Sequence, residues 1–141
     1  MPRLSRRWTV VASIVSAAAL PLAAGACNDD PASAVRLSVA GKRGEALARA
    51  NTCAACHSAN GDELTGPTWK GLYGAKITLK DGKRVTVDDA YIERSIREPN
   101  AQRRDDATGQ MPTFDEDRIT DAEIADIISY IKDLSSDSIA K

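Results

Sequence analysis

Aromatic side chains are scarce in this chain: two Trp, three Tyr and one Phe among 141 residues. That supply is thin for an apolar core of this length, so the core either stays small or closes around another apolar body. Histidine occurs only as His57, and outside the pair Cys53 and Cys56 the one further cysteine is Cys27. A structural zinc ion takes four ligands, and this inventory supplies them poorly. An unbroken apolar run of the ~20 residues that a membrane helix needs is missing. The longest run, 10–20, is stopped by Pro21. Neither sign of charge prevails, with 19 basic and 20 acidic groups, so the basic stripe of a nucleic-acid-binding protein is absent. No alternation of strand and helix patterns marks a βαβ unit, which removes the usual setting of a thioredoxin-like dithiol. With no second histidine and no obvious acid pair, little is left for acid–base catalysis.

What is present centres on residues 53–57, Cys-Ala-Ala-Cys-His. In a helical turn Cys53 and Cys56 lie on one face, and His57 follows at once. Two thiols that bond to the vinyl groups of haem, beside an imidazole that ligates its iron, use this spacing. A haem would also be the apolar body that the sparse aromatics call for. The same residues leave other readings open: a disulfide, a redox dithiol or half a zinc site. An exported domain of that last kind would be colourless, with Cys53 and Cys56 as titratable thiols or as a disulfide.

Residues 1–26 have the pattern of an export signal, with Arg3, Arg6 and Arg7 ahead of the apolar run. Ala24-Gly25-Ala26 suits ordinary cleavage, and the same residues before Cys27 suit lipidation of that cysteine. We favour lipidation, because an odd cysteine in an exported protein otherwise lacks a role. Losing three of 19 basic groups leaves 16 against 20 acids. Residues 27–38 form a flexible tether, 39–136 the folded domain and 137–141 a tail.

Within the domain the pattern predicts a helix over 39–52, whose Gly44 implies a close helix neighbour. The Gly- and Pro-rich stretch 66–74 follows an irregular path. Trp69 and Tyr73 on it are candidate pocket walls, and Leu72 a core residue. A hairpin over 75–87 pairs Ile77 with Val85 through the loop Lys80-Asp81-Gly82. Thr86 and Asp89 form a capping box for a helix over 88–98, with Tyr91, Ile92 and Ile96 inward. Residues 100–110, with Arg103, Arg104, Asp105 and Asp106, are a solvated loop. Thr120 and Glu123 box a last helix over 121–134, whose Ile124, Ile127, Ile128, Ile131 and Leu134 make one apolar stripe.

Once the signal is removed, Met111 is the only thioether. It sits in a loop beside Pro112, which stiffens the backbone. A thioether suits haem iron and raises its potential, so Met111 is the best available second axial ligand opposite His57. A gap-filling methionine is the plainer alternative.

Together these residues resemble a class I cytochrome c: helix, Cys53-Ala54-Ala55-Cys56-His57, Gly66-Pro67, Met111-Pro112 and an amphipathic last helix, over about residues 41–134. Gly66-Pro67-Thr68 through Gly74, the Asp81-Gly82 hairpin and Met111-Pro112 are most similar to the cytochrome c domain fused to subunit II of bacterial haem-copper oxidases. The chain lacks that subunit's copper-binding domain and transmembrane hairpin, so a free or lipid-anchored carrier is the more natural expectation. The resemblance implies an all-α fold, three to four helices around one covalent haem c, with a short β-hairpin insert. It implies that the Pro67 carbonyl orients His57, that Gly44 crosses the last helix near Tyr130, and that Trp69 lies beside the haem with its indole N–H toward a propionate. It implies single-electron transfer between redox proteins, among them a haem-copper oxidase or a dehydrogenase, by a monomeric domain at the periplasm or the outer envelope face. A haem-based ligand sensor or peroxidase-like enzyme is the alternative should Met111 stay off the iron. Residues 41–104 carry 12 basic and 8 acidic groups, and 105–141 carry 3 and 10. If these map to different faces, the field would steer docking.

Overall fold

The computed structural model of the chain describes residues 35–139, with side chains to residue 135. The expected signal segment 1–26, Cys27 and most of the expected 27–38 tether lie outside the described residues. Where the description begins, Val35 and Leu37 already pack against the core.

The first helix, α1 (Val39–Ala50), starts where the Ser38 hydroxyl accepts from the Gly41 amide at 3.0 Å, which satisfies one orphan donor of the first turn. It stops short of the expected Thr52. Asn51 caps it, and Thr52 turns left-handed at φ 59°, an uncommon conformation for a β-branched residue. That reversal leads into a short 3₁₀ turn, Cys53–Ala55. The last helix, α3 (Asp121–Ile139), begins at the Thr120–Glu123 box: the Thr120 amide donates to Glu123 Oε2 at 2.8 Å, and the Glu123 amide to Thr120 Oγ1 at 3.4 Å. Its five stripe residues are all buried.

Helices α1 and α3 cross closely. A Cβ on Gly44 would run into the Asp126 carbonyl and the Ile127 Cα, and one on Gly41 into the Asp133 carboxylate. Tyr130 lies between these two contacts on α3, while Gly44 itself meets the turn before it. Arg43 seals the crossing with two hydrogen bonds to Asp126, at 2.7 and 2.6 Å.

In chain order between these helices comes a hairpin of β1 (Lys76–Thr78) and β2 (Arg84–Thr86), antiparallel, with Ile77 opposite Val85. Leu79 and Lys83 close a three-residue loop, in which Gly82 has φ 84°. Helix α2 (Asp89–Arg97) corrects the expected capping box. Thr86 is engaged in the β2 ladder, so Asp88, in extended backbone, takes the cap and accepts from the Tyr91 amide at 2.8 Å. Asp89 instead accepts from the Tyr73 hydroxyl at 2.7 Å and pairs with Lys132 at 2.8 Å. Ile92 and Ile96 are buried as expected, and Tyr91 is half-buried.

The 100–110 loop is less solvated than its charges suggest. Leu79 and Arg104 form a β-bridge, the Lys80 amide donates to the Arg103 carbonyl at 2.9 Å, and the Asp105 amide to the Thr78 carbonyl at 3.0 Å. Residues 103–105 thus lie along the end of the hairpin, with Gln102, Arg103 and Arg104 half-buried. Three helices and a two-stranded sheet make up the described fold. None of the described helices is long and apolar enough to cross a membrane.

Candidate functional site

The 3₁₀ turn after α1 aims its residues by backbone bonds: the amides of Cys56 and His57 both donate to the Cys53 carbonyl, at 3.1 and 3.0 Å. The returning segment 66–69 is tied to the same turn. Gly66 donates to the Cys56 carbonyl and Trp69 to the Ser58 carbonyl, each at 2.8 Å. The Ser58 hydroxyl, buried, bonds the Asp62 carbonyl at 2.6 Å and Thr68 Oγ1 at 2.8 Å.

These ties confine the His57 ring. Its Nδ1 lies 2.8 Å from the Pro67 carbonyl. A carbonyl can only accept, so Nδ1 carries the hydrogen and Nε2 keeps its lone pair. Trp69 stacks on the imidazole with centroids 5.1 Å apart and planes 11° from parallel. The space beside the ring exists because residue 66 is glycine: a Cβ there would sit 2.5 Å from Cε1 and 2.8 Å from Nδ1. Burial lowers the pKa of His57, with the Pro67 hydrogen bond opposing it. The result is a neutral imidazole of fixed tautomer, the form that ligates metals.

Cys53 and Cys56 are free thiols, both partly exposed. Burial pushes the Cys53 thiol up, against its own backbone hydrogen bond and the charge of Arg118. Among the described residues no three His, Cys, Asp or Glu side chains gather to hold an ion, so the zinc reading finds no ligand set there.

One largely apolar cavity takes in Cys53, Cys56, His57, Pro67, Trp69 and Met111. Its back wall is the core itself: Ile92 and Ile96 of α2, Phe114 and Ile119, and Ile127 and Ile131 of α3. Met111 is half-buried and packs against that core. Two residues before it, Gly109 lies so close to Thr65 that a Cβ would strike the Thr65 methyl, so the Met111 loop is seated on the loop that carries Pro67. Trp69 lines the cavity, and so does Leu72, which the sequence assigns to the core. Tyr73, the other candidate wall, turns away: its ring lies 4.8 Å beneath the Lys132 ammonium.

Sequence reasoning misses Arg103 and Arg104. Both line the cavity, and no other lining residue is charged. Their only signal is position, a few residues ahead of Met111 in a segment that charge alone marks as solvated.

Haem fits this arrangement. The walls are apolar, two free thiols sit on one turn, a neutral imidazole offers a lone pair, a thioether opens on the same cavity, and the only charges are cationic, where the carboxylates of haem are anionic. A family model for cytochrome c matches residues 41–135, two thirds of the chain. Comparison with curated proteins returns no significant match.

Proposed function

The chain belongs to the cytochrome c family, and from that premise we propose that it is an exported carrier of single electrons in a respiratory chain, with His57 and Met111 as the axial ligands of its iron. The family holds its haem c covalently, one haem for a single domain such as this, and passes electrons between redox proteins. Cys53 and Cys56 would form the two thioether bonds. Bound there, haem supplies a one-electron couple.

The rest of the work falls to the chain. Pro67 and Trp69 hold the His57 ring in one tautomer and one plane, as outer-shell partners do at metal sites. Pro112 and the Gly109–Thr65 contact present the Met111 sulfur from a stiff loop. Phe114, Ile119, Ile127 and Ile131 keep water from the cavity, which keeps the polar rearrangement that accompanies a change of charge small. If His57 and Met111 both held the iron, no substrate would have a place on it, which favours a carrier over an enzyme.

The observation that carries this reading is that Cys53, Cys56, His57 and Met111 open on one apolar cavity. The similarity of Gly66 to Gly74 and of the Asp81-Gly82 hairpin to an oxidase-fused domain supports a haem-copper oxidase as electron acceptor. Cys27, placed after a signal-like segment, supports a lipid anchor at the envelope. The test is the intact mass of the mature protein, isolated from the envelope of a host with haem-attachment machinery. The expected mass lacks residues 1–26 and includes one haem and a diacylglycerol on Cys27. A colourless protein with titratable Cys53 and Cys56 thiols would refute the proposal.

A further inference from the structure

Three rings run in line from the cavity to the protein surface. Trp69 stacks on His57 with centroids 5.1 Å apart, and Tyr130 meets Trp69 edge-on, with centroids 5.8 Å apart and planes at 80°. Both separations are those of aromatic rings in contact. Trp69 and Tyr130 are buried. Trp69 lines the cavity and Tyr130 does not, although Ile127 and Ile131 of the same helix do. The third ring therefore leads away from the cavity, toward the crossing of α1 and α3. There Gly44 and Gly41 bring α1 against α3 before and after Tyr130. Burial raises the pKa of the Tyr130 phenol, Glu45 adds to the rise and Arg49 opposes it, so both α1 side chains lie near the hydroxyl. That hydroxyl has no protein partner among the described residues. No buried side-chain oxygen or nitrogen among them is left without one, so the Tyr130 oxygen reaches water. Packing alone does not call for this line of rings, since isoleucine fills most of the core in a chain with few aromatic residues.

Resting on the electron-carrier reading, we propose that Trp69 and Tyr130 form an electron route between His57 and the α1–α3 surface. Along it one electron passes from a reduced redox protein to ferric iron, or back to an oxidised one. The donor loses one electron, the acceptor gains one, and no bond or proton changes place. Indole and phenol are too hard to oxidise to hold the charge, so the two rings act as bridges. Their π orbitals lie closer in energy to the transferring electron than the bonds of a saturated side chain do, and coupling through them falls off less steeply. Trp69 thus does more than support the His57 ring, and Tyr130 does more than fill the helix crossing.

The test uses holoproteins that carry a ruthenium polypyridyl on one introduced surface histidine, a unique site because His57 is the only histidine of the chain. Glu45→His places the label beside Tyr130. Ala46→His is the control: it is exposed, one residue nearer to Cys53, and turned about 100° round the helix. Flash-induced transfer from ruthenium to iron is timed from both labels in the otherwise unchanged protein and in Trp69→Leu, Tyr130→Leu and Tyr130→Phe. The two leucine variants are expected to slow transfer from position 45 several-fold and leave the rate from position 46 unchanged, whereas Tyr130→Phe keeps both rates. An unchanged rate from position 45 would overturn the proposal, because coupling would then run down the α1 backbone to Cys53. Equal slowing from both labels would overturn it too, since a purely structural change at the iron affects both. Should the leucine variants fail to mature, the otherwise unchanged protein still decides: a rate from position 46 that equals or exceeds that from position 45 contradicts the route. A protein without haem would sink the electron-carrier reading first and this proposal with it.

Discussion

His57 is held on three sides by a carbonyl, a flat ring and a glycine, and each contact has its own consequence. Gly66→Ala places a methyl 2.5 Å from the imidazole, so the ring must tilt off the Pro67 carbonyl or the loop must move. Overpacking of this kind costs about 1–3 kcal/mol. The expected outcome is a lowered melting temperature together with an altered ligand-field spectrum, whereas a melt that falls with the spectrum unchanged would mean that the loop and not the ring gives way. Met111→Ala should leave haem attached and open the iron to carbon monoxide, read as a shift of the ferrous spectrum. At this scale the sequence was informative where residues that act together are also adjacent. Cys53, Cys56 and His57 lie within one turn, and Met111 stood out because the chain has no other thioether beyond Met1. Arg103 was hidden for the opposite reason, since a charged residue in a polar stretch looks solvated until a strand edge from elsewhere pins its backbone.

At the scale of elements, α3 was the most legible because its signals are local: a cap pair three residues apart and a stripe at helical spacing. Thr120→Ala removes the cap hydroxyl and should cost about 1 kcal/mol, measured by chemical denaturation of the holoprotein. The Glu123 carboxyl is held below its ordinary value by hydrogen bonds from the Thr120 amide and hydroxyl. A lowered folded pKa means that this contribution is complete above the unfolded Glu value, about 4.3. It fades as pH falls through the folded value. Glu123→Gln should therefore flatten the dependence of melting temperature on pH below about 4.3 and leave its slope near neutrality unchanged. A slope that changes only near neutrality would contradict this assignment. For α2 the sequence pointed to the right helix and the wrong cap, because Thr86 had two possible partners and the ladder to Lys76 won. The need for Gly44 was legible from its low helix propensity, but its partner, the Asp126 backbone, is 82 residues away in sequence. Gly44→Ala should cost about 1–3 kcal/mol in the same denaturation experiment, and a neutral result would show that the helices can part.

Across the whole molecule, ion pairs between the two parts of the chain offset only a small share of their charge imbalance, because Lys132 with Asp89 joins charges in the opposite sense to Arg43 with Asp126 and Arg97 with Asp121. Arg43 with Asp126, Arg97 with Asp121 and Lys132 with Asp89 each join a group before residue 105 to one after it. The scarcity of aromatics also takes physical form at this scale. About half of the core side chains, Ile92, Phe114 and Ile127 among them, also line the cavity, so that part of the core closes only when the cavity is filled. A Cys53→Ala, Cys56→Ala double variant, unable to attach haem, should lose its cooperative melt and near-ultraviolet dichroism while keeping part of its helical signal. Retention of a sharp melt would show that the protein core suffices alone. The account as a whole rests on an iron closed by His57 and Met111, and one spectrum tests that most directly: the reduced-minus-oxidised absorption of the native holoprotein, repeated under carbon monoxide. We predict a covalent haem c spectrum that carbon monoxide leaves unchanged. Rapid carbon monoxide binding to the native ferrous protein would contradict the account, take Met111 off the iron and make the protein a ligand sensor or an enzyme.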